Sequence, residues 1–190
     1  MIYQTDLTAY DYVLKLHTKR TQKIKLKDAR INWRNRLVEP LIGSPERVKT
    51  VLNMLQNDKQ IGLLANKHLC LDFSDFAINP RLYEQVCSRL HLTPCAGGRF
   101  IAGTMFFIRA KCLRVFQQYP FTENDFDVKS QSGQTDTLAH ALERIFIHAV
   151  EQEGLKVKLV QDNVFVFNRF VYKVFHKPFH RSKVVSGAAN

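Results

Sequence analysis

The run Phe100–Ile108, FIAGTMFFI, holds nine residues without a single charge, and it limits the possible folds more than any other stretch. It is too short to span a membrane and too apolar to face water, so it reads as one buried strand. Ala102, Gly103 and Thr104 are small and sit just ahead of Met105, Phe106 and Phe107. Small residues at such a place let a ligand or another backbone approach the strand closely. The helix AKCLRVFQQ follows Arg109, then comes a polar loop carrying Glu123, Asp125 and Asp127, and then a long helix predicted to open at Thr135 or Asp136. On that helix Asp136, His140 and Arg144 are four residues apart and share a face, while Leu138, Leu142, Ile145 and Ala149 populate the other. Two readings stay open. The stripe is either a carboxylate base held charged by its neighbours, or a row of exposed ion pairs worth a few tenths of a kcal/mol each.

A second constraint comes from the front of the chain. Asp11–Leu16, DYVLKL, has the mixed aromatic and aliphatic pattern of a central strand and runs into HTKRTQKIKLKDAR. That tail is either a solvated basic loop or the phosphate-binding edge that an α/β sheet presents where a strand ends. Asp28 is a candidate N-cap for a helix with Ile31, Trp33, Leu37 and Leu41 at helical spacing. Ser44 and Pro45 start another, whose predicted stripe is Val48, Val51, Leu52 and Leu55. Gln60–Ala65 is a short buried strand, Pro80–Leu90 a helix, PCAGGR a turn, and Leu155–Val160 an alternating strand. Asp72 and Asp75 lie in a loop with no third ligand, so they do not point to a metal site.

Strands alternating with helices in 190 residues predict a single α/β domain over 1–178. Within it, 163–177 reads as a basic amphipathic helix with several phenylalanines, fit either to lie on an anionic membrane or to cover the sheet. The tail 179–190 reads as disordered. Cys70, Cys87, Cys95 and Cys112 form no C-x-x-C pair and read as buried or partly buried free thiols. The first residues do not read as a signal peptide, and no apolar run reaches the length of a membrane span, which predicts a reducing cytoplasm and leaves contact with a membrane surface open. A net charge of +11 predicts attraction to polyanions. No nucleic-acid-binding module accompanies that charge, so a specific nucleic-acid partner is not expected.

Three blocks together, YDYVLKLHTKR at 10–20, WRNRLVEPLIGSPERV at 33–48, and FIAGTMFFIRAKCL with GQTDTLAHALERIF at 100–146, resemble the rhamnan synthesis protein F family of bacterial cell-surface polysaccharide assembly. The family is similar to GT-A glycosyltransferases, which implies a nucleotide-sugar bound at the C-terminal edge of an α/β sheet flanked by helices. Where such enzymes carry an Asp-x-Asp metal motif, this chain has His17, Thr18 and Lys19. The resemblance therefore implies a donor diphosphate held by His17, Lys19, Arg20 and Arg144, with no divalent metal and no other cofactor. It implies a sugar and acceptor pocket at Gly103, Thr104 and Met105. It also implies an inverting transfer with Asp136 as base, Glu123 and Asp125 as the next choices, and His140 orienting the base or binding the departing phosphate.

The partners implied are a nucleotide-sugar, a lipid-linked glycan acceptor at the inner membrane face and an anionic membrane surface, with the protein peripheral there. In this family an N-x-G-R-D type segment lies upstream of the first strand, whereas this chain begins about ten residues before it. The expectation is thus a C-terminal part of a GT-A-like transferase, lacking much of the nucleotide-binding half and completed by that half or a partner transferase. The alternative is a non-catalytic remnant or assembly module docking on a membrane or partner.

Overall fold

A computed structural model describes residues 5–17, 37–75, 79–95, 97–126 and 137–161. They form a four-stranded mixed sheet in the order β1-β5-β2-β6, a two-stranded sheet β3-β4, and helices packed against them. The strands are β1 (Tyr12–Lys15), β2 (Ile61–Asn66), β3 (Cys70–Asp72), β4 (Arg99–Ile101), β5 (Phe106–Arg109) and β6 (Lys156–Val160). The helices are α1, described over 37–42, α2 (Pro45–Asn57), α3 (Pro80–Arg89), α4 (Arg114–Gln118) and α5 (Leu138–Gln152). The mixed α/β class expected from the sequence is the observed one. The predicted helix 163–177 and the tail 179–190 lie outside the described residues, as do Asp28 and Trp33.

The buried core joins both faces of β2 and β5 to the helices. Ile61–Asn66 is buried at every position, and Phe106, Phe107 and Ile108 beside it are buried too. These are the central strands. β1, expected at the centre, is instead an edge strand whose residues are all only half-buried. The strand direction reverses twice across this order, since β5 runs antiparallel to both β1 and β2, while β2 and β6 are parallel.

Phe100–Ile108 is not one strand. Arg99–Ile101 pairs with β3, Phe106–Arg109 pairs with β1 and β2, and a turn separates them. Thr104 N–H donates to Ile101 C=O at 3.0 Å, closing the turn with Gly103 at φ 80° and Thr104 at φ 46°. Gly103 supplies the left-handed geometry that an apolar run of the same length without glycine would resist. The small residues therefore break the run between two sheets.

Local signals set the helices as the sequence predicts. Ser44 Oγ caps α2 by accepting from Arg47 N–H at 3.2 Å, and Asn79 caps α3 through Leu82 N–H at 3.1 Å, each with a proline at the first helical turn. On α2 the buried stripe narrows to Val51 and Leu55, and Leu52, expected inside, is exposed at the flank of that stripe. α5 opens at Leu138 with Thr137 as its N-terminal flank, later than the predicted Thr135 or Asp136. α5 packs close over Gly62, where a Cβ would stand 2.5 Å from Val150 Cγ1 and, from the segment that follows the helix, 2.7 Å from Leu155 Cβ. No helix among the described residues is long and apolar enough to cross a membrane.

Candidate functional site

The antiparallel register of β1 and β5 decides where the polar groups meet. Lys15 lies opposite Phe106, so the C-terminal end of β1 is delivered beside the turn that precedes β5. Lys15 Nζ donates to Thr104 Oγ1 at 2.9 Å and to Thr104 C=O at 3.3 Å. Two residues on, His17 Nε2 lies 2.5 Å from the Gly103 carbonyl, a contact that is a hydrogen bond when Nε2 carries the proton. α5 closes the third side. Glu143 Oε1 accepts the Gly103 N–H at 2.6 Å, so both polar backbone groups of this glycine are held by side chains from different elements.

Thr104 is the strained member. A β-branched residue in the left-handed region is a rarity, and such geometry costs on the order of 1–3 kcal/mol. It persists here because Lys15 binds both oxygens of the residue. Lys15 is itself unusual for an edge-strand lysine. Burial lowers its pKa, the negative charge of Glu143 opposes that shift, and its ammonium stands 5.8 Å from the centre of the Phe146 ring. The cluster thus holds a half-buried cation among a hydroxyl, an imidazole and a carboxylate. It is suited to receiving an oxyanion, which would restore the solvation that burial removes from Lys15.

Arg144 is the support on the helix side. It is buried, its Nη1 donates to the His140 carbonyl at 2.7 Å and approaches Glu143 Oε2 at 3.5 Å, and its guanidinium lies 4.3 Å from the Phe100 ring centre. Burial lowers its pKa against the opposing effect of Glu143. So the face expected to be either catalytic or exposed is, at Arg144, packed inward. His140 is half-buried and shares a 2.7 Å hydrogen bond between Nδ1 and Thr137 Oγ1.

Of the residues the sequence singled out, the structure brings together His17, Gly103 and Thr104, with Arg144 behind them. Met105, expected beside them, is 1% exposed and packs in the hydrophobic core. Asp125 is engaged elsewhere. It pairs with Arg89 at 2.5 Å and accepts from Thr122 N–H at 2.6 Å and Thr122 Oγ1 at 2.9 Å, and these bonds, Arg89 first, hold its carboxyl well below the usual range. Glu123 starts the same short turn. Asp136, Lys19 and Arg20 lie outside the described residues. Sequence reasoning gave no role to Lys15 or Glu143. A lysine within the otherwise apolar pattern YVLK was the available signal for the first.

The sequence profile of the rhamnan synthesis protein F family matches residues 1–155. The chain belongs to this family. Two curated relatives, both named uncharacterized protein WxcX and from two strains of Xanthomonas campestris pv. campestris, are 32% identical over 155 residues, covering 80% of this chain and 21% of each relative. The chain spans about a fifth of the length of these curated relatives. No solved structure matches it. The family match ties the chain to polysaccharide synthesis, and it includes all of the cluster built on Lys15, Gly103, Thr104 and Glu143.

Proposed function

We propose that this chain forms part of a GT-A-like glycosyltransferase of bacterial surface-polysaccharide synthesis, and that the end of β1 receives the diphosphate of a nucleotide-sugar. The observation that carries this reading is the half-buried Lys15 ammonium bound to the strained Thr104 at the edge of the sheet. In this reading Lys15 and His17, with Lys19 and Arg20 in the basic segment that follows, supply the positive charge that a divalent metal supplies elsewhere. Among the described residues no group of three His, Cys, Asp or Glu side chains is placed to hold a metal ion. Glu143 is a positioning residue, since its carboxylate is occupied by Gly103 N–H. Asp136 remains the proposed base and a lipid-linked glycan the proposed acceptor, with the protein at the inner membrane surface.

Thermal unfolding of the purified chain with UDP and dTDP, and with sugars carried on each, tests the donor site. The expected result is a rise in midpoint with at least one nucleotide, lost in Lys15→Met and kept in Lys158→Met. Loss of one hydrogen-bonded charge contact corresponds to about 1.5–3 kcal/mol, or roughly tenfold or more in affinity. Absence of any shift in the wild-type chain would sink the idea that this chain alone binds the donor.

A further inference from the structure

Beside Arg144, between α5 and the loop that enters β4, lies an open pocket of ≈ 390 Å³. Its wall includes Phe73, Gly97, Arg99, Arg144, His148 and Glu151, and of these only Arg144 also backs the donor cluster described above. Arg144 is 2% exposed, and its Nε–H has no hydrogen-bond partner among the described residues. A buried donor of a charged group left in that state calls for an acceptor oxygen. His148 has its Nδ1 at 3.2 Å from the Tyr83 hydroxyl, and burial lowers its pKa against the opposing charge of Glu151, which favours the uncharged ring. Phe73 stands edge-on to Tyr83 at 5.6 Å and is only half-buried.

The combination selects a class of ligand. Guanidinium donors, a carboxylate acceptor and a neutral imidazole around a half-buried aromatic ring match a sugar, whose hydroxyls both donate and accept and whose C–H face is apolar. A bare phosphate would meet the Glu151 carboxylate, and an alkyl chain would leave Arg144 unsatisfied. The volume lies within the usual range for small-molecule sites, roughly 300–1,000 Å³. We propose that this pocket seats one neutral sugar ring of the glycan on which the protein acts. Its hydroxyl oxygens accept from Arg144 and Arg99, a hydroxyl donates to Glu151, and its C–H face rests on Phe73. The inference rests on the polysaccharide reading above and adds to it the place of the acceptor. A 6-deoxy sugar such as rhamnose, with a methyl group enlarging its apolar face, suits a site walled by Phe73.

Saturation-transfer NMR with a rhamnose trisaccharide on the whole chain decides it, using a variant that blocks the pocket without disturbing the fold. Gly97 is the position for it, because a Cβ there meets nothing within 4 Å and its backbone lies outside the left-handed region. The expected result is saturation of the sugar protons by the wild-type chain and at least a tenfold weaker effect in Gly97→Leu and in Arg144→Met. The midpoint shift produced by nucleotides should be unchanged in Gly97→Leu. Equal saturation in the wild type and in Gly97→Leu overturns the pocket, as does no saturation in the wild type. A surviving nucleotide shift with no sugar signal overturns the pocket alone, whereas sugar binding that disappears in Gly97→Leu without any nucleotide shift overturns the donor site alone.

Discussion

Both edges of the main sheet carry lysines, and the two edges use them in opposite ways. On β6, Lys156 and Lys158 alternate with Val157 and Leu159, stand exposed, and leave the apolar residues half-buried. Lys156 pairs with Asp58 at 2.7 Å in the solvent. Charge on such an edge discourages another strand from adding to it. On β1 the single lysine is half-buried, bound to the Thr104 turn and near the Phe146 ring of α5. What distinguishes the edges is therefore what lies over them: a turn and a helix enclose one lysine, and water surrounds the others. Strand position alone assigns no role to a lysine.

The strongest way to break this contrast is to lift α5. Gly62 lies where Val150 and Leu155 press on β2, and a Cβ there would be 2.5 Å from Val150 Cγ1. Gly62→Val is expected to destabilise the fold by about 3 kcal/mol, the upper range for overpacking a tight core. The melting midpoint of a chain this size should fall by very roughly 6–12 °C. If α5 is displaced, Glu143 leaves Gly103 and Lys15 becomes as solvated as Lys158. A variant that melts with the wild-type chain would show that α5 does not depend on this close approach.

The second test acts on the turn alone. Thr104→Gly removes the left-handed strain and also removes the hydroxyl that accepts from Lys15. Relief of strain is expected to outweigh the lost contact, for a net gain of about 1 kcal/mol, seen as a rise in melting midpoint of roughly 2–4 °C. Nucleotide binding should fall at the same time, because Lys15 is no longer held. Stability and binding that fall together would show that the turn is unstrained and merely structural. The β6 edge contains no position where the two quantities separate in this way.

How far these regions were legible in the sequence follows from the kind of signal each needs. The alternation of β6, the Ser44 cap of α2 and the start of α3 at Pro80 were readable because alternation, capping and an initial proline are local patterns. The break inside Phe100–Ile108 was not, since a continuous apolar run does not say whether its residues serve one sheet or two. Gly103 was the only hint of a turn, and a glycine in such a run equally marks a close approach. The inward course of Arg144 was hidden for another reason. A guanidinium at helical spacing from His140 looks like a surface residue until Phe100, brought in by the small sheet, supplies a ring for it to cover. Glu143 is joined to Gly103 across forty residues of sequence, a contact that only the packing of α5 creates.

The smallest effect belongs to the solvated edge and completes the comparison. The hydrogen bond from Lys156, with help from Gln60 N–H, lowers the pKa of Asp58, so the pair favours the fold while Asp58 is charged. The sign follows from proton binding. The unfolded chain takes up a proton at Asp58 at a higher pH than the folded chain, and this contribution fades as pH falls from about 4. Lys156→Gln should therefore lower the melting midpoint only slightly at neutral pH and low salt. The difference from wild type should vanish in acid, and again at high salt where exposed pairs are screened. Lys15 should behave otherwise. Its depressed pKa means that the folded chain holds its proton less tightly, so wild type should gain stability over Lys15→Met as pH rises toward about 10.5, with little response to salt at a half-buried site. If the two lysines respond alike to salt and pH, the enclosure that separates the edges does not exist in solution.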